Sequence, residues 1–345
     1  MKKTMIMYIK FLIGMMLLSC LSCDTTKPDK MQVFNVSGRD EWNNAIDLIK
    51  ANGDDQAYII NIQNSFAIQH FDVFADQLTF GDVQNVSIDI RGNNSQPILT
   101  ESFPINIGPR QDVKISDITL KGISLGVMSG GRCSLYGNTL VTENTSSAVF
   151  VQRYGRFYMN DNSRISNTTI PITSFAVRNF GHFYLQGHAS ITDNMGFAVR
   201  VDADAFFYMK ENASISRNRY GVSVYGGTFI LEDGSLSENY TTDHAGRVVF
   251  ISTGHFDMLG GSIHKNRAAN TIYVMEGSFT MSGGIVYGNV ESGAPEELAN
   301  SSQLNGTTLI AGISTEVKYG DGSNILPHID GSTGGTNHTI VGKNK

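Results

Sequence analysis

GHFYLQGHASITDN (181–194), AFFYMKENASISRN (205–218) and GTFILEDGSLSEN (227–239) are three lines of one pattern, and laying the chain on itself extends it in both directions. GRCSLYGNTLVTEN (131–144) and GRFYMNDNSRISN (155–167) precede them, and GHFDMLGGSIHKN (254–266) and GSFTMSGGIVYGN (277–289) follow. The third position of each line is Cys133, Phe157, Phe183, Phe207, Phe229, Phe256 or Phe279, in steps of 24, 26, 24, 22, 27 and 23 residues. One period with small insertions is the behaviour of a solenoid, in which each repeat touches only its neighbours and insertions fall in loops.

Inside a repeat the apolar residues alternate. Phe207 and Met209, then Ile215, then Val222 and Val224 form three groups in one line, matched by Phe256 and Met258, Ile263, and Ile272 and Val274 in another. Period two is the signature of a strand with one face buried, so each coil is expected to contain three short strands. Stacked coils place like over like, giving columns of Phe, Met/Leu, Ile and Asn. The Asn column is Asn144, Asn194, Asn218, Asn239, Asn266 and Asn289, with Thr168 in the second line. Asparagine tolerates turn backbone angles, and stacked amides bond along the axis. Cys133 occupies a Phe slot and is expected to be a buried, unreactive thiol. A leucine-rich repeat has an overlapping period but needs a Leu-x-x-Leu-x-Leu strand and a helical return, and neither is present.

The fold expected is therefore all-β: a right-handed parallel β-helix (solenoid) with an N-terminal capping helix, right-handed because parallel crossovers nearly always are. The helix is expected after Ser37, where Trp42, Ala45, Ile46 and Ile49 fall at helical spacing and Asn52-Gly53 follows as a stop. YIINIQ (58–63) then reads as a first strand. A helix here has a use, since the end of a β-helix leaves an apolar cross-section and an unpaired edge to be covered.

The front of the chain reads differently. Positive charge at residues 1–3 precedes FLIGMMLL (11–18), an apolar run too short for a membrane span, which needs about 20 residues. Leu17-Leu18-Ser19-Cys20 resembles the lipobox of bacterial lipoproteins, which implies acylation of Cys20, with Cys23 behind Leu21-Ser22 as the alternative. DTTKPDK (24–30) reads as a polar tether. The organisation expected is a signal peptide over 1–19, lipidated cysteine and tether over 20–31, an N-terminal cap over 32–64, irregular early coils over 65–129, regular repeats over 130–312, and a last coil with the tail over 313–345.

The Gly-x-Phe-x-Met and Ser-Ile-x-x-Asn elements resemble the repeats of bacterial surface proteins of the right-handed parallel β-helix, pectin-lyase-like class, and KYGDGSNILP (318–327) resembles the final coil of such lipoproteins. The resemblance covers most of the mature chain and implies the fold. It leaves function open, because this fold carries lyases, hydrolases, adhesins and proteins of no known activity.

Composition narrows the classes. A net charge of −6 with 17% charged residues argues against nucleic acid as a partner. An enzyme acting on acidic polysaccharide needs clustered carboxylates and a basic neighbour. The nearest group is Asp202 and Asp204, read as one strand face, with Arg178 and Arg200 in equivalent slots of neighbouring coils. The Asn-Thr-Asp, paired Asp, Gly-His and Arg-Ile-Lys pattern of the pectin-cleaving hydrolases is not assembled. Gly181-His182 and Gly254-His255 sit in a slot that also holds Arg156, Thr228 and Ser278, so repeat drift explains them. The Asp/Arg group is accordingly expected to be a mutually paired surface patch, with no catalytic residue assigned. The Gly-Gly-x-Gly-x-Asp calcium repeat does not occur, and neither a metal nor a cofactor is expected. Tyr158, Tyr184 and Tyr208 share one outward slot in successive coils. They form either a structural ladder or a platform for sugar rings or a protein partner. The expectation is a non-enzymatic, membrane-anchored surface lipoprotein presenting a β-helical face to a glycan or a host or surface protein, with a polysaccharide lyase or hydrolase as the alternative.

Overall fold

The computed structural model describes residues 31–68, 77–100, 104–171, 174–241, 246–268, 270–287 and 289, together with the backbone of strands at 308–311, 316–319 and 336–339. The signal peptide, Cys20, Cys23, the tether to residue 30 and most of the 320–345 tail lie outside the described residues. No helix among the described residues is long and apolar enough to cross a membrane.

Alternating sequence becomes three stacked sheets. Among the described residues sheet A has twelve strands and sheets B and C ten each, and every rung from the third to the eleventh strand of sheet A contributes to all three. A representative rung is Phe206–Met209 in A, Ser214–Ser216 in B and Tyr220–Val224 in C. Pairing from rung to rung is parallel, with Phe157 beside Phe183, Phe183 beside Phe207, and Phe207 beside Phe229. The chain is thus an all-β parallel β-solenoid. Its core is a set of columns: Phe157, Phe183, Phe207, Phe229, Phe256 and Phe279 are all fully buried. Successive rings from Phe183 to Phe256 stack with centroids 4.6–4.8 Å apart, the spacing of neighbouring strands.

The same register runs back through the described sheet A strands Gln111–Ser116 and Val86–Arg91. Ile88 pairs with Val113 and Val113 with Cys133, so these residues occupy the Phe column with smaller side chains. Cys133 is fully buried and unpaired, and burial pushes its thiol well above the ordinary range.

The N-terminal end is a β-α-β unit. Strand β1 (Met31–Val36) precedes helix α1 (Arg39–Asn52), and β2 (Ala57–Ile62) returns parallel to β1. Trp42, Ala45, Ile46 and Ile49 are the buried face of α1, as their spacing requires. The sequence reading missed β1 because MQVFNV packs on one side only: Met31 and Val33 are 64% and 54% exposed. At the far end, Glu316–Tyr319 adds to sheet A, and Thr336–Thr339 runs antiparallel to Thr308–Ala311 at the edge of sheet C.

The Asn column is an amide ladder. Asn194, Asn218, Asn239, Asn266 and Asn289 are buried, and each side-chain Nδ2 of the first four donates to Oδ1 of the next at 2.8–3.0 Å. Each Oδ1 also accepts the backbone N–H of the rung before it, and Nδ2 of Asn218 donates to the Ile191 carbonyl at 2.9 Å. Thr168 takes its place in the ladder through its backbone, which donates to Asn194 Oδ1.

Candidate functional site

The outward residues of sheet A follow directly from the inward ones. Tyr158, Tyr184 and Tyr208 pair in register, each half-buried. Tyr158 and Tyr184 stack at 4.6 Å with planes 6° apart, and the Arg132 guanidinium lies 4.6 Å from the Tyr158 ring centre. Tyr208 turns edge-on to Tyr184 at 6.3 Å and lies parallel to Phe206 instead. The ladder is therefore one stacked pair continued by an aromatic corner, because Phe206 replaces the His182 and Arg156 of the preceding rungs. His182 is half-buried, and desolvation first, then the charge of Arg156, lowers its basicity.

Sheet C carries a second aromatic surface that sequence reasoning missed. Its outward column runs Phe150, Arg178, Arg200, Ser223, Phe250 and Tyr273, in register. Guanidiniums lie over rings throughout: Arg178 over Phe180 at 4.9 Å, Arg200 over Tyr225 at 4.2 Å, and Arg247 over Tyr273 at 4.2 Å. The signal was present in the sequence as aromatic and arginine residues at one offset, of which only Arg178 and Arg200 were aligned as equivalent slots.

Asp202 and Asp204 do not share a strand face. The strand ends at Val201, and both aspartates fall in the turn from sheet C to sheet A, where Asp204 adopts a left-handed φ of 61° that a strand excludes. Asp202 is 7% exposed and chelated by Arg200, with Nε 2.8 and 2.9 Å and Nη2 2.7 Å from the carboxylate. Asp204 pairs with Arg153, two rungs away, a partner the sequence gave no reason to choose. Arg178 is in register with Arg200 but joins neither pair.

These turns differ in length, and the difference makes a cleft. Between the last sheet C residue and the first sheet A residue lie 152–155 in one rung, 180–181 in the next and 202–205 in the one after. The short turn depends on Asn179, which stands where its neighbours have Val151 and Val201. Its buried amide accepts the Gly181 N–H at 3.0 Å and donates to the Phe206 carbonyl at 2.9 Å. At Gly181 a side chain has no room, since a Cβ would meet the Gln152 and Gly155 carbonyl oxygens at 2.4 Å. The long turns on either side stand over the short one, and Arg153 reaches across to Asp204. The resulting notch, about 440 Å³, is lined by Arg153, Phe180, Arg200, Asp202, Ala203, Tyr225 and Thr253.

Chemically the notch is lined by two guanidiniums, the Asp202 carboxylate tied to one of them and two aromatic walls, and Asp204 holds the other guanidinium from outside the lining. Neither aspartate is placed as a free acid or base beside the other. Among the described residues, no three His, Cys, Asp or Glu side chains come together as a metal-ligand group. Compared with known protein families, curated proteins and solved structures, the chain matches none of them.

Proposed function

We propose that this protein is an exported, lipid-anchored bacterial surface protein of the pectin-lyase-like β-helix class, whose solenoid flank binds a partner without cleaving it. The anchor rests on the lipobox-like LLSC sequence ending at Cys20, with Cys23 as its alternative. The observation that carries binding is the column Tyr158–Tyr184–Tyr208 on sheet A. Three successive rungs place half-buried aromatic rings in one outward slot of sheet A. Aromatic residues held on rigid strands lose little entropy on contact and serve as anchors for glycans or protein surfaces. Against hydrolysis or elimination stands the pairing of Asp202 with Arg200 and of Asp204 with Arg153, which leaves neither carboxylate as a poised base.

The test has two arms. Mass spectrometry of the mature N-terminus is expected to find diacylglyceryl and palmitoyl groups on Cys20 or Cys23. The full mature protein in detergent is expected to release no reducing or unsaturated ends from pectate, alginate or glycosaminoglycans, while binding on glycan and protein arrays falls about ten-fold when the three tyrosines become alanine. Release of ends that is abolished by Asp202→Ala would replace this reading with a polysaccharide-degrading enzyme.

A further inference from the structure

The notch at the short turn has a composition that the tyrosine column lacks. Its walls are apolar and aromatic, from Phe180, Tyr225 and Ala203, and both of its guanidiniums are already paired, Arg200 with Asp202 in the lining and Arg153 with Asp204 outside it. Arg200 uses Nε and Nη2 on Asp202, so its Nη1 is left for another acceptor. A carboxylate has about four acceptor sites, and ligation by one guanidinium does not fill them. Donors and acceptors therefore sit side by side in a cleft whose two guanidiniums each have a carboxylate partner, Asp202 inside the lining and Asp204 beyond it.

That combination selects among ligands. An acidic group entering the notch meets the Asp202 carboxylate and two guanidiniums that already have carboxylate partners, and gains little from the pairing. A purely apolar group leaves the polar edges of both ion pairs desolvated and unmet, which costs free energy. A pyranose ring satisfies both requirements. Its C–H face covers an aromatic wall, and neighbouring hydroxyls donate to a carboxylate while accepting from the guanidinium beside it. The size agrees, since ligand clefts are roughly 300–1,000 Å³ and this one is about 440 Å³.

The site is built, not left over. Asn179 is a fully buried polar residue in a core column, and its two hydrogen bonds hold open the short turn without which there is no notch. In the flanking turn, Tyr154 holds a left-handed φ of 65° and is 68% exposed, where the equivalent positions of two other rungs are Gly130 and Gly226. Asp204 holds the same conformation at the equivalent place in the other long turn, with a φ of 61°.

We propose that the notch lined by Arg153, Phe180, Arg200, Asp202 and Tyr225 is a subsite for a neutral pyranose unit of a glycan. The proposal rests on the reading of the chain as a binding protein and names the ligand class and the place. The site recognises the sugar and performs no bond-breaking step.

Saturation-transfer NMR and titration of the full mature protein in detergent would use methyl glucoside, methyl galactoside, methyl mannoside, the N-acetylglucosamine disaccharide, glucuronate and galacturonate. At least one neutral sugar is expected to bind with a Kd of about 1 mM, the range set by a dozen non-hydrogen atoms. Its affinity should change little between low and high salt. Tyr225→Ala and Arg200→Gln are each expected to weaken binding about ten-fold. Ala203→Leu, which narrows the notch from an exposed turn position and leaves the core untouched, should do the same even if the other two variants fold poorly. Ser214→Ala on sheet B should leave it unchanged. No binding by any neutral sugar, binding confined to the two uronates and lost in salt, or binding indifferent to Ala203→Leu overturns the proposal. If array binding that depends on the tyrosine column survives in that case, the binding reading stands and the notch alone fails. Polysaccharide cleavage overturns the binding reading itself.

Discussion

Single side chains here act through their neighbours one rung above and one below. Asn218 is the clearest case: its Oδ1 accepts from the N–H and Nδ2 of Asn194, and its Nδ2 donates to Asn239 Oδ1 and the Ile191 carbonyl. Replacing it with alanine strands several buried groups at once, each costing about 1–3 kcal/mol. Asn218→Ala is expected to lower unfolding free energy by about 3 kcal/mol, measured by urea titration; a loss under about 0.5 kcal/mol would mean that water replaces the amide. Asp257 shows the opposite character. It is half-buried on sheet A beside His255 and Thr280, and burial raises its pKa more than the Thr280 hydrogen bond and the charge of His255 lower it. With the folded value above the unfolded one, the folded state holds the proton more tightly. The stabilisation is complete below the unfolded pKa near 3.8 and is lost as pH rises through the folded value. Asp257→Asn should therefore raise the melting temperature at pH 7, and the gain should shrink steadily on acidification. An advantage that is the same at every pH would show that ionisation is not its cause.

At the scale of elements, the helix and the turns decide what the rungs cannot. Helix α1 covers the N-terminal end with Trp42, Ile46 and Ile49, and Trp42 packs near Phe66 at 6.4 Å. Trp42 is the only tryptophan of the chain, so truncating it removes the probe as well as the packing. Ile49→Ala keeps the probe. It is expected to cost about 2–5 kcal/mol and to let tryptophan fluorescence change at lower denaturant than the far-ultraviolet signal of the sheets. Coincident transitions would show that the cap and the stack are one cooperative unit. This is also the scale at which the sequence was most and least informative. The Phe, Ile and Asn columns and the buried face of α1 could be read directly, because burial imposes period two or 3.6 on residues that have few substitutes. Strand β1 could not, since Met31 and Val33 face outward and nothing in their alternation distinguishes them from a tether. The notch was invisible for a different reason. It arises from one turn being two residues shorter than those on either side, and from Asn179 in a column of valines. In a linear alignment that looks like ordinary drift. The Arg200–Asp202 pair could be guessed from proximity, whereas the Arg153–Asp204 pair spans 51 residues and exists only because the rung between them recedes.

At the scale of the molecule, the solenoid should behave as a one-dimensional array whose rungs are nearly interchangeable, and this can be tested by removing one. Deleting residues 228–254 joins Gly227 to His255, and Thr228 and His255 are partners in the same slot. The cut takes out one strand from each sheet and leaves the columns continuous. Phe207 then faces Phe256, Met209 faces Met258, Ile215 faces Ile263, and Val222 and Val224 face Ile272 and Val274. The amide ladder closes as well, with Asn218 meeting Asn266 once Asn239 is gone. No buried polar group loses its kind of partner and no large side chain is left over a void. The shortened protein is therefore expected to fold cooperatively, with unchanged far-ultraviolet circular dichroism per residue and a maximum dimension in solution scattering smaller by about 4.8 Å. Lengthening the same deletion by one residue, to 228–255, puts Phe256 in the slot of His255, sets the inward alternation of the following strand against that of its new neighbour and should abolish folding. Equal tolerance of both deletions would mean that the columns do not hold the stack together.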